Sequence, residues 1–280
     1  MTDTKRPEDA GKLREAVSAG YARIATSGGG CGGCCGGPRT RPQDISLELG
    51  YDANQLASVP AGADLGLGCG NPTALGELKP GEIVLDLGSG AGLDALLAAR
   101  QVGPTGRVIG VDMTEAMLDR ARDNAVRGGF ENVEFRRGLI EELPVDDASI
   151  DAIVSNCVIN LSPEKDRVFR EAYRVLRPGG RMLVSDIVLE EALPPEIAER
   201  VDVTIGCVGN ASLRADYLRT VREAGFGEIE IVAEKTYGAD LLAGTAFADD
   251  IARDHGLSLD ELAEHLGKVT SLSLRIRKQV

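Results

Sequence analysis

The chain has 280 residues, of which 43% are hydrophobic and only 4% aromatic, enough for one main core with appendages rather than two full domains. Its 44 acidic and 31 basic residues leave a net charge of −13. This balance disfavours nucleic acid and anionic membranes as partners, because phosphate binding depends on clustered lysine and arginine. The first nine residues lack the apolar region of a signal peptide, and no apolar run is long enough to span a bilayer, so we expect a cytoplasmic protein.

The first segment, residues 1–45, is predicted to contain one helix and a glycine-rich tract. Apolar residues recur at helical spacing within 10–26, namely Leu13, Val17, Tyr21 and Ile24. The tract 27–37 follows and carries three cysteines, Cys31, Cys34 and Cys35. These form a single Cys-x-x-Cys pair with no second pair at zinc spacing, so no structural metal is expected.

From residue 81 onward, runs rich in valine, isoleucine and leucine alternate with helical patterns. Strands are predicted near 83–87, 107–111, 133–137, 150–155 and 181–187. Helices are predicted between them, near 93–101, 114–127 and 163–176. The last of these helices is expected to have Ser162 as its cap and Pro163 at its first position. The alternation of strands with helices predicts a parallel sheet.

The remaining segments complete one domain over residues 46–235 and a carboxyl-terminal piece over 236–280. A helix is predicted to open at Pro194 and lead to Cys207, and a second is predicted to run from a Ser212 cap through Glu223. Strands near 227–233 and 270–277 flank an acidic helical segment. That segment holds both histidines, which we interpret as surface residues, His255 and His265.

A glycine motif follows the first predicted strand and reads Asp-x-Gly-x-Gly-x-Gly over residues 86–92. Glycines here let the backbone turn sharply and approach a ligand in front of a helix. Asp112 closes the next strand, where a carboxylate can accept the two hydroxyls of a ribose. A second glycine string over 66–70 follows no strand, so it is not predicted to be a cofactor loop.

This motif resembles that of class I S-adenosylmethionine-dependent methyltransferases. The resemblance implies an α/β, Rossmann-like fold with a seven-stranded, mostly parallel sheet, an antiparallel final strand and an N-terminal extension. It also implies a set of residues that bind S-adenosylmethionine. The glycine turn would lie along the methionine part of S-adenosylmethionine, Asp112 would bind its ribose, and the segment after the third strand would border its adenine. Met113 is expected either to touch the adenine or to pack in the core. The full set is Asp86, Gly88, Ser89, Gly90, Gly92, Asp112, Met113, Ile140 and Glu141.

Three further cysteines, Cys69, Cys157 and Cys207, follow glycine or asparagine in loop-like sequence. Any one of them alone is typical of a small buried hydrophobic residue. The strings around them, over 67–73, 155–161 and 206–208, resemble the arsenite methyltransferase family. In that family the matching cysteines hold trivalent arsenic as substrate while S-adenosylmethionine delivers the methyl group.

The predicted sheet places Cys157 at the carboxyl end of the fourth strand, where it would face the cofactor. The thiols must ionise to bind arsenic, which would require a local field that favours thiolate. The neighbouring Asn156 and Asn160 are interpreted as turn or cap residues.

The resemblance further implies that Cys34 or Cys35 forms a disulfide with Cys69, which would link turnover to thioredoxin or another dithiol reductant. The cysteine tract could instead only capture arsenic. Two other functions fit the sequence: a methyltransferase for a small organic substrate in which the cysteines are structural, and a protein that sequesters arsenite without turnover.

Overall fold

The computed structural model describes residues 9–27, 41–76, 78–198 and 207–237, together with the short stretch 268–280 and four isolated positions, Ser258, Asp260, Glu261 and Glu264. The cysteine tract with Cys31, Cys34 and Cys35 lies outside the described residues. So does most of the predicted acidic helical segment, including both histidines.

The described part of the chain forms a seven-stranded sheet with the spatial order β3-β2-β1-β4-β5-β7-β6. The first five strands are mutually parallel, and β7 runs antiparallel to both of its neighbours. This arrangement confirms the predicted fold class. The strands are β1 (Ile83–Leu87), β2 (Arg107–Asp112), β3 (Val133–Arg137), β4 (Ile150–Asn156), β5 (Leu176–Leu189), β6 (Glu228–Tyr237) and β7 (Val269–Arg277).

Helices cover both faces of this sheet, because the side chains of each central strand alternate between two apolar clusters. On β1, Leu85 and Leu87 join the cluster under α6 and α8, whereas Val84 joins the cluster under α4. The helices are α1 (Ala10–Ser27), α2 (Pro42–Glu48), α3 (Ala53–Ala57), α4 (Leu93–Val102), α5 (Glu115–Gly128), α6 (Lys165–Val175), α7 (Pro195–Ala198) and α8 (Arg214–Glu223). Among the described helices, none has the length and apolar character needed to cross a membrane.

Two predicted helix starts were wrong. Helix α6 begins at Lys165 rather than at Pro163, because a single 3₁₀ turn over Ile159–Leu161 precedes it. The Ser162 hydroxyl still accepts the Glu164 N–H, at 3.0 Å, but outside the helix. Helix α8 begins at Arg214 without a side-chain cap, because Leu213 instead forms a bridge with the end of β5.

Candidate active site

The glycine turn, residues 86–92, comprises the end of β1 and the loop that leads to α4. Gly88 and Gly90 adopt positive φ angles of 63° and 50°. A Cβ atom on Gly88 would lie 2.2 Å from Cγ2 of Val158, so glycine allows the residue after Cys157 to lie directly against this turn. A Cβ atom on Gly90 would meet nothing within 4 Å, since this position borders open space. The turn therefore leaves room for a ligand and touches the loop that follows β4.

A cavity runs along the carboxyl ends of β1, β2 and β4, as expected for a ligand site in an open α/β sheet. Eight of the nine predicted cofactor residues line it: Asp86, Gly88, Ser89, Gly90, Asp112, Met113, Ile140 and Glu141. Cys157 lines the same cavity, as do Gly66, Leu67 and Gly68. The second glycine string thus borders the cavity although it follows no strand.

Gly92, the ninth predicted cofactor residue, is not among the described residues that line the cavity. Its φ angle is 97°, and a Cβ atom there would lie 3.2 Å from Phe135 and 3.4 Å from Ala121. Gly92 therefore allows close packing at the start of α4, and its assignment to the cofactor site stays a prediction.

Buried polar atoms at the glycine turn point to an absent partner. Asp86 Oδ2 and Ser89 Oγ have no hydrogen-bond partner within the described part of the chain, although both residues line the cavity. Burial, followed by the nearby charges of Asp94 and Asp112, raises the pKa of Asp86 well above its usual range. Orphaned acceptors beside open space fit S-adenosylmethionine, which carries a positively charged sulfonium and a polar amino acid group.

Asp112 at the end of β2 supports the glycine turn directly. Its Oδ2 accepts the Gly90 N–H at 3.0 Å, and its Oδ1 accepts the Thr114 N–H at 2.8 Å. Each carboxylate oxygen retains a further lone pair for a ligand hydroxyl. Asp112 can thus hold the turn and a ribose at once.

Helix α1 lies along the cavity and contributes Arg14, Val17 and Tyr21 to its lining. Arg14 forms ion pairs with the buried Glu141, at 3.0 Å, and with Glu164. Glu141 also accepts the Ser162 hydroxyl at 2.6 Å. In the ligand-free protein Glu141 therefore anchors α1 over the part of the cavity where the adenine was expected.

Cys69, Cys157 and Cys207, which we call the thiol cluster, lie together behind this cavity, as the sequence predicted. All three are buried. The Cys207 Sγ donates to the Cys157 carbonyl at 2.8 Å, and the Cys69 Sγ donates to the Ser185 carbonyl at 3.2 Å. Three loops that are distant in sequence therefore converge on one sulfur-rich site.

The surroundings of the thiol cluster are apolar. The three cysteines pack with residues of α1, β5, β7, the 3₁₀ turn after β4 and the loop after β5, namely Leu13, Val17, Leu161, Ile187, Leu189, Leu193 and Val269. Met113, which the sequence left between adenine contact and core packing, packs against this cluster and also lines the cavity. The thiols are thus kept away from bulk water.

The thiol cluster includes two residues with unusual backbone geometry. Cys157 has a φ angle of 57° and Cys207 one of 66°, and Ala148 is the third non-glycine residue with positive φ in the described part of the chain. This left-handed conformation costs about 1–2 kcal/mol for a residue with a side chain. Strain of this kind persists where function requires it.

The thiols of Cys157 and Cys207 do not ionise readily. The interaction with the Cys207 thiol lowers the pKa of Cys157, but the interaction with the Cys69 thiol, burial and the charge of Asp186 together raise it well above its usual range. The interaction with the Cys157 thiol and burial raise the pKa of Cys207 in the same way. The local field at these two residues therefore favours neutral thiols.

Asn156, interpreted from sequence as a turn or cap residue, instead connects the two halves of the site. Its Oδ1 accepts the Cys69 N–H at 3.0 Å, and its Nδ2 donates to the Gly70 carbonyl, the Tyr51 hydroxyl and Asp94 Oδ2. Asp94 lies in the first turn of α4, and burial raises its pKa to about 6. The network links the Cys69 loop to the cofactor end of the cavity.

Asp186 on β5 was also missed. One of its carboxylate oxygens and the sulfurs of Cys69 and Cys157 all lie within 4.8 Å of one another. Burial raises the pKa of Asp186 to about 7, although hydrogen bonds from the Ile187 backbone and the Tyr217 hydroxyl lower it. The available signal was a carboxylate in the middle of an apolar strand, where charged residues are rare without a partner.

Known proteins resemble this chain in both sequence and structure. A family model described as a methyltransferase domain matches residues 78–225. An arsenite methyltransferase from Halobacterium salinarum is 47% identical over 91% of this chain and 70% of the relative. An arsenite methyltransferase from Aquipseudomonas alcaligenes is 43% identical over 60% of this chain and 50% of the relative, and the human arsenite methyltransferase is 38% identical over 51% and 40%.

Among solved structures, the arsenic(III) S-adenosylmethionine methyltransferase CrArsM from Chlamydomonas reinhardtii superposes with a TM-score of 0.61. It is 32% identical, and the match covers 84% of this chain and 73% of that one. The described sheet, the cavity and the thiol cluster agree with these likenesses. The chain belongs to the arsenite methyltransferase family and has the class I S-adenosylmethionine-dependent methyltransferase fold.

Proposed function

We propose that this protein transfers methyl groups from S-adenosylmethionine to trivalent arsenic held by the thiol cluster, in the detoxification of arsenic. The observation that supports this most directly is the shared cavity, which both the glycine turn and Cys157 line. The contact between Gly88 and Val158 brings the two ends within reach of each other.

Arsenic binding by neutral thiols is chemically balanced. Arsenous acid carries three hydroxyl groups, and each can leave as water with the proton of one thiol while an arsenic–sulfur bond forms. A thiol conjugate exchanges in the same way and releases its own thiols. The net charge does not change, so burial does not oppose the exchange, whereas buried free thiolates would be costly. The raised pKa values of Cys157 and Cys207 are therefore compatible with arsenic binding.

The residues that would hold S-adenosylmethionine are those at the glycine turn together with Asp112, Ile140 and Glu141. When bound, S-adenosylmethionine supplies an electrophilic methyl group on a positively charged sulfur. The thiol cluster fixes arsenic so that its lone pair is the nucleophile, and no proton has to be removed from it. Holding two reactants at attack distance can supply on the order of 7–11 kcal/mol of the barrier. The apolar cluster around the sulfurs excludes competing water.

Reduction must follow each transfer, because arsenic gives up its lone pair to the new carbon bond. Two thiols that oxidise to a disulfide return two electrons to arsenic. We propose that Cys69 and either Cys34 or Cys35 form this disulfide, and that thioredoxin or another dithiol reductant regenerates the thiols.

The test is the turnover of arsenite by purified protein with S-adenosylmethionine and excess thiol, with methylated arsenicals separated by chromatography and detected as arsenic. Cys157→Ser and Cys207→Ser are each expected to lower the rate at least about a thousandfold, since a two-sulfur site no longer presents the arsenic pyramid. Binding of S-adenosylmethionine should survive in both. Cys31→Ser is the matched control and should retain the rate.

Full activity in either serine variant would rule out the proposed site. Stoichiometric arsenite binding without product, in protein shown to bind S-adenosylmethionine, would instead indicate sequestration or an organic substrate.

A further inference from the structure

The thiol cluster has a fourth potential donor, Asp186. A carboxylate oxygen of Asp186 and the sulfurs of Cys69 and Cys157 lie within 4.8 Å of one another, and the Cys207 Sγ lies 2.8 Å from the Cys157 carbonyl. Two sulfur atoms and one oxygen atom therefore converge from separate elements of the fold, with the third sulfur beside Cys157. All four residues are buried.

Trivalent arsenic does not need this fourth donor. It binds three sulfurs in a pyramid, and its lone pair occupies the remaining direction. A divalent ion of the zinc group has no such lone pair and takes four donors in a tetrahedron, with thiolate and carboxylate both suitable. Zinc–sulfur and zinc–oxygen bonds of about 2.3 Å and 2.0–2.2 Å require Cys69, Cys157 and Asp186 to move together by about 1 Å, and the Cys207 side chain to rotate toward them.

The carboxylate of Asp186 is held in place as metal-binding carboxylates are. Its Oδ2 accepts the Tyr217 hydroxyl at 3.0 Å, and its Oδ1 accepts the Ile187 N–H at 3.0 Å. Both Asp186 and Tyr217 are 1% exposed. Such outer hydrogen bonds orient a metal ligand, and each oxygen keeps a lone pair for an ion.

We propose that the thiol cluster and Asp186 together form a binding site for a divalent thiophilic cation of the zinc and cadmium class. Each thiol that coordinates the ion releases its proton to solvent, so binding is accompanied by proton release. The ion occupies the sulfurs that arsenic would use and therefore inhibits competitively with arsenite. That competition, though not the cation site itself, rests on the proposed function.

Cadmium binding tests the site in protein whose three N-terminal cysteines are replaced by serine, so that the tract does not capture the ion. Affinity is measured by competition with a chromophoric chelator, with a phosphine rather than a thiol as reductant. Asp186→Asn keeps the shape of the side chain; its amide oxygen can still accept the Ile187 N–H, and its amide nitrogen can donate to the Tyr217 oxygen. This variant should weaken cadmium binding at least about tenfold. Arsenite affinity should change less than about threefold. Asp64→Asn, another buried carboxylate, is the matched control and should leave cadmium affinity unchanged.

Equal cadmium affinity in the Asp186→Asn variant would overturn the proposal, as would an equal loss of arsenite and cadmium binding. If that variant does not fold, anomalous diffraction from crystals of the otherwise unchanged protein grown with cadmium decides. An ion bonded to the Asp186 carboxylate supports the proposal, and an ion bonded to sulfur alone overturns it. Because neither measurement involves methyl transfer, failure of the proposed function would appear separately, in the arsenite assay.

Discussion

The glycine turn and the thiol cluster both contain residues with positive φ angles, but the residue types differ. Gly88 and Gly90 take positive φ angles at no steric cost, whereas Cys157 and Cys207 take similar angles with a side chain attached. At the glycine turn a ligand requires empty space, so a residue without a side chain is suitable. In the thiol cluster the sulfur atom is required, so cysteine stays at these positions despite the cost of its positive φ angle.

The two regions also differ in their electrostatics. Buried carboxylates with raised pKa values border the glycine turn: Asp86, Asp94 and Asp112. The thiol cluster lies among apolar side chains, and the raised pKa values of Cys157 and Cys207 keep those two thiols neutral. One region is suited to a cationic ligand, and the other to an exchange between neutral groups.

The largest expected effect comes from filling the empty space at the glycine turn. Gly90→Ala should weaken S-adenosylmethionine binding by about a hundredfold or more, because the new methyl group projects into the cavity and φ at this position is positive. Equilibrium binding measured by calorimetry reports the change. Gly103→Ala is the matched control, since Gly103 also has positive φ and open space around it but lies at the far end of α4.

The control variant should lose about 1–3 kcal/mol of stability, because the backbone of Gly103 has φ 67° and ψ −174°, and should keep its affinity for the cofactor. Unchanged affinity in Gly90→Ala would show that the space beside Gly90 is not used by S-adenosylmethionine.

The fold was predictable because its signals are local. Five parallel strands and the helices between them follow from apolar runs and glycine stops, and the glycine motif lies where a strand of this type ends. The start of α6 was not predictable, because Ser162 has an extended backbone after the 3₁₀ turn over Ile159–Leu161, and Glu164 instead is the residue before the helix.

In the candidate site, too, the residues with a local sequence signal were predicted and those defined by long-range contacts were not. Cys69, Cys157 and Cys207 were found through strings that resemble a known family. Asp186 and the bridging role of Asn156 depend on neighbours from distant segments, such as Tyr51 and Tyr217, which no local pattern identifies.

A smaller effect should appear when the carboxylates at the glycine turn are titrated. Their raised pKa values mean that they become neutral as the pH falls, with Asp94 titrating at about 6. Affinity for the cationic cofactor is therefore expected at higher pH and lost at lower pH, by up to about tenfold per pH unit for each group that must ionise. Calorimetry between about pH 7 and pH 5 avoids the α-amino group, which titrates at about 7.7–8.0.

Asp94→Asn should flatten this dependence, because it removes one titrating group. An affinity that does not change over this interval would show that the carboxylates are not coupled to the cofactor.

The smallest effect concerns the strain in the thiol cluster and is measured as stability rather than activity. Cys157→Gly and Cys157→Ala both remove the sulfur, but only glycine relieves the positive φ angle. Cys69 is equally buried and has no positive φ angle, so Cys69→Gly and Cys69→Ala form the matched pair. At each position, the free energy of unfolding of the alanine variant is subtracted from that of the glycine variant. This difference should favour glycine more at position 157 than at position 69, by about 1–2 kcal/mol. Because both pairs differ by one buried methyl group, the comparison of the two differences measures the backbone strain at Cys157. Equal differences at the two positions would mean that Cys157 is unstrained. Its positive φ angle would then cost no more than that of a glycine in the glycine turn.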